Sequence, residues 1–385
     1  MKILLFEWNA FMQRDLEEAL SGFPVEVKYL SYEFEDWNQD EFFYDRFSKM
    51  LKNENYDVVF SLNFFPVVSE VCNVCNIMYI SWVYDSPMHI RRTESLMNSC
   101  NRIFVFDRGQ CESLIKKGVK NVYHMPLAVN SSRLERMDLS DNSGLFDGEI
   151  SFVGRIYKTD FDYLKDPLDE EYQHCLEDIV SLQRKTWKKF IIDEMIDDKF
   201  IEALNKRYDV VFGRKDYNVK KEELVYAMAT HVTRLERLDV LKSLSAKYDT
   251  KIYTYDDTNM IQGIDNRGSV KYYSQMPKVF ANSKINLNIS LAIIKTGIPL
   301  RVLDVLGTGG FLITNYKEEI EENFINGKEV IIYKSIEELE EQVNYYIHHE
   351  NERRKIAIQG HEKVKKAFQF HDQLVKIFNV CGLKL

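Results

Sequence analysis

Residues 295–315 read KTGIPLRVLDVLGTGGFLITN, and the architecture of this 385-residue chain can be built outward from them. Pro299 suits the first turn of a helix, where its missing N–H is not needed. That helix can run only to about Leu306, because Gly307, Gly309 and Gly310 break it before the apolar run FLITN at 311–315. Leu300, Leu303 and Leu306 form its core-facing stripe. A helix that leads through glycines into a buried strand is half of a βαβ unit, and the same rhythm extends both ways. EISFVGR (149–155), KIYTYD (251–256), SVKYY (269–273), KINLNIS (284–290) and EVIIY (329–333) read as further strands, with a helix over 232–246. Ser335 followed by Glu338 is a capping-box start for a helix whose stripe is Ile336, Leu339, Val343 and Ile347. A last helical region covers 352–380.

The first 130 residues repeat the pattern. KILLFEW (2–8), VEVKYLSY (25–32), DVVFSLNFF (57–65), IMYISWVYD (77–85), RIFVFD (102–107) and NVYHMPLA (121–128) are strands separated by helix-length segments. Such alternation implies right-handed βαβ units on a parallel sheet. Residues 131–148 lose the apolar period and collect Asn, Ser, Asp and Gly, as a linker does. Residues 160–228 are rich in Glu, Lys and Asp, with helical spacing around Leu176, Ile179, Ile191, Ile192 and Met195. The expected organisation is therefore α/β, with two Rossmann-like doubly wound domains facing a central cleft. The first spans 1–130 and the second 149–365, with a helical insertion at 160–228. A C-terminal helix at 366–385 is able to pack back on the first domain.

Two domains also suit the length, since single cores stop growing near ~250–300 residues. Hydrophobic residues make up 45% and charged residues 29%, the balance of a globular protein. A formal charge of −9 argues against a nucleic-acid partner, because phosphate contacts need a basic surface. The opening MKILLFEWNAF reads as a first buried strand and is too short for a signal peptide. No run of about 18 apolar residues occurs, so no transmembrane segment is expected. Six scattered cysteines, with one lone CxxC at Cys72 and Cys75, fit buried thiols in a reducing cytoplasm better than a metal or redox site.

In open parallel sheets, ligands bind beyond the carboxyl ends of the strands. The N–H groups near Thr296, Gly297 and Ile298, at the start of the 299–306 helix, are expected to stand free and form an anion site suited to a diphosphate. Arg301 and Asp304 share a helical face. Arg301 can grip phosphate oxygens and Asp304 can accept from ribose hydroxyls. The competing reading is an ordinary i,i+3 ion pair worth a few tenths of a kcal/mol.

The order IPLRVLDVLGTGGFLITNYKEEIEENF, KEVIIYKSIEELEEQVNYYI and ERRKIAIQGHEKV resembles the C-terminal half of GT-B glycosyltransferases, and most of all their spore-maturation (CgeB-type) branch. The likeness continues at ISFVGRIY (150–157), KINLNIS and SWVYDSP (81–87). It implies a nucleotide-sugar donor in the second domain and an acceptor in the first. Many retaining members carry two glutamates separated by seven residues. Aligned on Asp304, the earlier one falls on Thr296, so a contact to the donor sugar and retaining stereochemistry are not carried over.

Other residues follow from strand ends. Gly154 and Arg155 close the first strand of the second domain, where a glycine lets backbone approach a phosphate; a plain strand-ending turn is the alternative. Arg234 and Arg237 open a helix and either reach the diphosphate or lie on a solvated face. Tyr272 can stack on a base, or pack with Tyr273 in the core. Asp85, in VYDSP, is positioned to take a proton from an acceptor hydroxyl, against the reading of an Asp turn before Ser-Pro. His89 and His124 are alternative bases. Asn9 and Asn63 can bind acceptor hydroxyls, with His89 beside them. Asp160 and Asp162 form an Asp-x-Asp pair that helix capping explains, so no metal and no cofactor are expected.

The expected function is transfer of a hexose-type sugar from a UDP-linked or similar donor to an unknown hydroxyl acceptor, with the leaving diphosphate stabilised at Thr296 and by Arg301. Two alternatives use the same scaffold: a nucleotide-sugar epimerase or hydrolase, and a non-catalytic surface or spore-coat protein.

Overall fold

The computed structural model describes residues 1–8, 10–213 and 218–384. The chain forms two compact units. The first comprises Met1–Arg136, Thr296–Gly307 and Glu362–Leu385; the second comprises Met137–Lys295 and Thr308–His361.

In the first unit, β1 (Lys2–Glu7), β2 (Glu26–Ser31), β3 (Val58–Leu62), β4 (Met78–Val83), β5 (Asn101–Val105) and β6 (Val122–His124) form one sheet in the order β2-β1-β3-β4-β5-β6. Every pairing is parallel, with Leu4 opposite Lys28 and Val59 and Ser61 opposite Ser81. β3 is apolar apart from Ser61 and buried along its whole length, as expected of a central strand covered on both faces. The order reverses between β1 and β3, so the gap beyond their carboxyl ends is the topological switch point of this sheet. The C-terminal helix Phe370–Val380 belongs to the same unit. Phe370 meets Trp82 edge-on at 5.7 Å, and His371 stacks on Phe23 at 4.7 Å.

In the second unit, β7 (Gly148–Val153), β8 (Thr250–Tyr253), β9 (Asp265–Asn266), β10 (Ser283–Asn288), β11 (Leu312–Asn315) and β12 (Ile331–Tyr333) lie in the order β12-β11-β10-β7-β8-β9, again all parallel. Here the switch point is between β7 and β10. Ser335 caps the helix Ile336–Tyr346 by accepting from Glu338 N–H at 3.1 Å. The insertion is helical: Phe161–Lys165, Glu170–Lys185, Ile192–Met195 and Asp198–Phe212 pack around Leu176, Ile192, Leu204 and Tyr208.

Three expectations change. SVKYY is a turn before the helix Met276–Asn282, and the outer strand is Asp265–Asn266 instead. Ser269 and Val270 supply only two residues before Lys271 N–H donates to Gln275 Oε1 at 2.8 Å and the chain turns. The helix expected at 232–246 runs unbroken over Lys221–Ser245, so the insertion ends inside it. Residues 296–307, expected in the second domain, belong to the first unit.

Candidate functional site

At the first switch point, β1 and β3 are tied by Trp8, whose indole Nε1–H donates to Leu62 carbonyl at 2.6 Å. Asn63 follows β3 in the left-handed region, at φ 64°. Asn tolerates that conformation better than most residues, and it turns the side chain toward the end of β4. Its Oδ1 accepts from Tyr84 N–H at 3.0 Å, and its Nδ2 donates to Asp85 Oδ2 at 2.6 Å. Asp85 is half-buried. Burial raises its carboxyl above the ordinary carboxylate range, with the Asn63 hydrogen bond and then the charge on His89 pulling the other way.

A cavity of about 50 Å³ opens here, lined by Trp8, Trp37, Asn63, Phe65, Asp85 and His89 among others. Asp85, Asn63 and His89, singled out separately in the sequence, therefore line one cavity. Asn9 lies outside the described residues. His124 is apart from this cavity, its Nε2 3.2 Å from Phe106 carbonyl.

The same unit holds the 296–307 segment. The helix begins at Leu300, so Thr296, Gly297 and Ile298 precede it. The Thr296 and Gly297 amides were expected to stand open to an anion, and this is corrected. Fully buried Asp107 supplies the anion: its Oδ1 accepts from Thr296 N–H at 3.0 Å, Thr296 hydroxyl at 3.0 Å and Gly297 N–H at 3.2 Å. Gly109 N–H donates to the same oxygen at 3.1 Å, and Ser86 hydroxyl to Oδ2 at 3.0 Å. A second anion at those amides would meet a carboxylate already in possession of the donors. Gly297 must be glycine, because a Cβ there would lie 2.8 Å from Asp107 Cα and 2.9 Å from the Phe106 ring. Ile298 is core. Arg301 Nη1 donates to Asp304 Oδ2 at 3.2 Å, so the i,i+3 pair does form.

In the second unit, several side chains hold the loop after β7. Asp256 Oδ2 accepts from Ile156 N–H at 2.5 Å and Tyr157 N–H at 3.2 Å. Arg155 donates to Asp256 Oδ1 at 3.1 Å while its guanidinium lies 4.4 Å from the Tyr255 ring centre. Arg234 donates to Tyr157 carbonyl at 2.5 Å. Gly154 is approached closely by the Phe152 ring, 3.1 Å from where a Cβ would stand. Tyr272 and Tyr273 meet edge-on at 4.9 Å.

Arg237 is buried at the second switch point. Its Nε and Nη2 donate to Ile289 carbonyl, at 3.2 and 2.5 Å, and its Nη1 to Arg155 carbonyl at 2.5 Å. It closes the gap beyond β7 and β10 as a clamp, and the solvated-face alternative is excluded by its burial. Next to it Glu236 is buried too, and burial pushes its carboxyl up to about 7 against the pull of Lys317, Arg184 and Arg237. Asp107, Glu236 and Lys317 were not foreseen. The only sequence signal was a charged residue inside or beside an apolar run. Among the described residues, no three His, Cys, Asp or Glu side chains gather as ligands for an ion, and no helix is long and apolar enough to cross a membrane.

Residues 221–379 match the family model described as glycosyl transferase-like. No curated protein sequence matches the chain. Among solved structures it is similar to the sucrose-phosphate synthase of Thermosynechococcus elongatus, with a TM-score of 0.59 at 8% identity over 99% of this chain and 98% of that one. It is also similar to HepE of Anabaena in complex with UDP-glucose, with a TM-score of 0.52 at 12% identity over 99% of each chain. A glycosyltransferase of Rickettsia africae gives 0.54 at 12% identity, over 99% of this chain and 98% of that one. At such identities the likeness is one of fold: two Rossmann-like units with parallel sheets, as in GT-B glycosyltransferases.

Proposed function

We propose that this protein is a glycosyltransferase that moves a sugar from a UDP-linked donor to a hydroxyl acceptor, with Asp85 as general base. The observation that carries the reading is the Asp85 carboxylate at the carboxyl end of β4. Its Oδ2 is fixed by Asn63 at 2.6 Å, and burial raises its proton affinity. Such a group is suited to accept a proton from a hydroxyl brought into the cavity it lines. The acceptor oxygen bonds to the donor's anomeric carbon, the bond from that carbon to the diphosphate oxygen breaks, and the hydroxyl proton passes to Asp85. UDP leaves with the electron pair.

The glycosyl transferase-like match over 221–379 supports the donor half of this reading, as does the binding of UDP-glucose by HepE. Arg155, Arg234 and Tyr272 are proposed to bind the donor, with Arg301 countering the diphosphate charge and Asp304 accepting from ribose. Fixed cations stabilise a leaving diphosphate without reorganising. The reaction is proposed to need no metal. The spore-maturation branch rests on the resemblance of 298–324, and a reducing cytoplasm suits six cysteines that form no disulfide among the described residues.

Calorimetry with UDP, UDP-glucose and other nucleoside diphosphates tests the donor half. Binding of UDP that weakens about tenfold or more in Arg301→Ala is expected. Absence of binding by any nucleotide would overturn the proposal.

A further inference from the structure

We infer that the acceptor is an uncharged saccharide, presented so that one ring lies against Trp37 and Trp8 while a hydroxyl reaches Asp85. This rests on the reading of Asp85 as general base and goes further by naming the acceptor's chemical class.

The walls of the first switch-point cavity are aromatic. Trp8 stacks on Tyr84 at 6.0 Å with the rings 9° apart, and meets Phe65 edge-on at 5.6 Å. Trp37 stands edge-on to Phe65 at 6.5 Å and keeps 40% of its surface exposed. Both indole N–H groups are already used. Trp8 donates to Leu62 carbonyl and Trp37 to His89 carbonyl at 3.3 Å, so what the two rings offer a ligand is π surface. The negative face of an aromatic ring attracts polarised C–H bonds, which a pyranose displays on its apolar side.

The polar groups are equally selective. Asn63, Asp85 and His89 line the cavity, and no Lys or Arg is among its lining residues. The following Arg91 and Arg92 are held at 2.6 Å each by Asp36 and Glu70. A phosphate or carboxylate on the acceptor would face the Asp85 carboxylate in a partly desolvated place whose lining holds no Lys or Arg to offset it, which is costly. A neutral hydroxyl would donate to Asp85 directly.

The size fits the edge of a ring. About 50 Å³ is far below the roughly 300 Å³ of sites that engulf small molecules. The cavity therefore takes one hydroxyl-bearing edge and leaves the rest of the acceptor outside. Both a free sugar and the terminal ring of a longer glycan meet that description.

The test is tryptophan fluorescence of the full chain, titrated with glucose, galactose, N-acetylglucosamine and the disaccharides maltose, cellobiose and lactose. Glucose 6-phosphate and glucuronate serve as charged counterparts. At least one neutral saccharide should quench saturably and bind at least tenfold more tightly than every charged probe. Trp37→Ala should weaken that binding about tenfold, Trp37→Phe should restore most of it, and UDP binding should stay the same in both variants. Preference for disaccharides over their monosaccharides identifies a glycan end, and the reverse a free sugar. Tighter binding of the charged probes, or no saccharide binding at all, overturns the inference even when UDP binds. Saccharide binding without nucleotide binding leaves it standing and removes the donor instead.

Discussion

The backbone N–H of Thr296 donates to Asp107 Oδ1 at 3.0 Å, joining positions 189 residues apart in the chain. One buried carboxylate thereby fixes the start of the segment that carries Arg301 and Asp304, together with the N-terminus of the helix Arg108–Lys116.

Asp107→Ala removes the acceptor and leaves several buried donors unsatisfied, at about 1–3 kcal/mol for such a group. A loss on the order of 3 kcal/mol in urea unfolding is expected, with faster hydrogen exchange at Thr296 and Gly297. Asp107→Asn, which keeps an oxygen, should recover part of the loss. Unaltered exchange at those two amides would show that the carboxylate does not hold them.

Asp85 must be ionised to act as a base, so kcat/KM should fall as pH drops through its raised pKa, above the ordinary carboxylate range. Asn63 donates to the ionised form, so Asn63→Ala should move that acid limb to higher pH. Asp85→Asn should lower kcat about 10²–10⁴-fold and abolish the limb. Turnover of Asp85→Asn within twofold of wild type would remove Asp85 from the reaction.

Glu236 is held near pKa 7 by burial, above its ordinary 4.5. The folded chain thus keeps a proton that the unfolded chain releases between about pH 4.5 and 7. Stability from this group is present at low pH and is lost as pH rises through that window. Glu236→Gln should unfold with a weaker pH dependence and gain on wild type from pH 5 to 8. The gain is on the order of 3 kcal/mol, at 1.36 kcal/mol per pH unit. Parallel pH–stability curves for the two proteins would refute it.

Arg237→Lys replaces a fork that reaches both Ile289 and Arg155 carbonyls with a single ammonium. A loss of about 2 kcal/mol in denaturant unfolding is expected. An unchanged midpoint would mean that the clamp contributes nothing.

If turnover needs no ion, activity measured in excess EDTA should match that in buffer alone. Collapse in EDTA with rescue by added magnesium or manganese would replace that part of the proposal.

The sheets were readable because their strands are short runs of Val, Ile, Leu and Phe bounded by turn residues, as in VVFSL at 58–62. SVKYY had β-prone residues too, but Gln275 four residues past Lys271 turns the backbone there, a side-chain contact that periodicity does not report. Asp85, Asn63 and His89 could be placed at one sheet edge because each follows a strand or lies close behind one. The occupancy of the Thr296 and Gly297 amides could not. It depends on Asp107, which in sequence is simply the cap of another helix. The same limit hid the clamping role of Arg237, whose two carbonyl partners come from different strand ends.

The first unit is assembled from three separated stretches, and Glu362–Leu385 is the last of them. During synthesis its six strands leave the ribosome long before Phe370 can cover Trp82, or Phe368 carbonyl can receive Val129 N–H at 2.9 Å. The nascent N-terminal sheet therefore waits for residues 368–370 before Val129 and Trp82 gain these partners. Truncations and chimaeras cut at residue 136 never gain them.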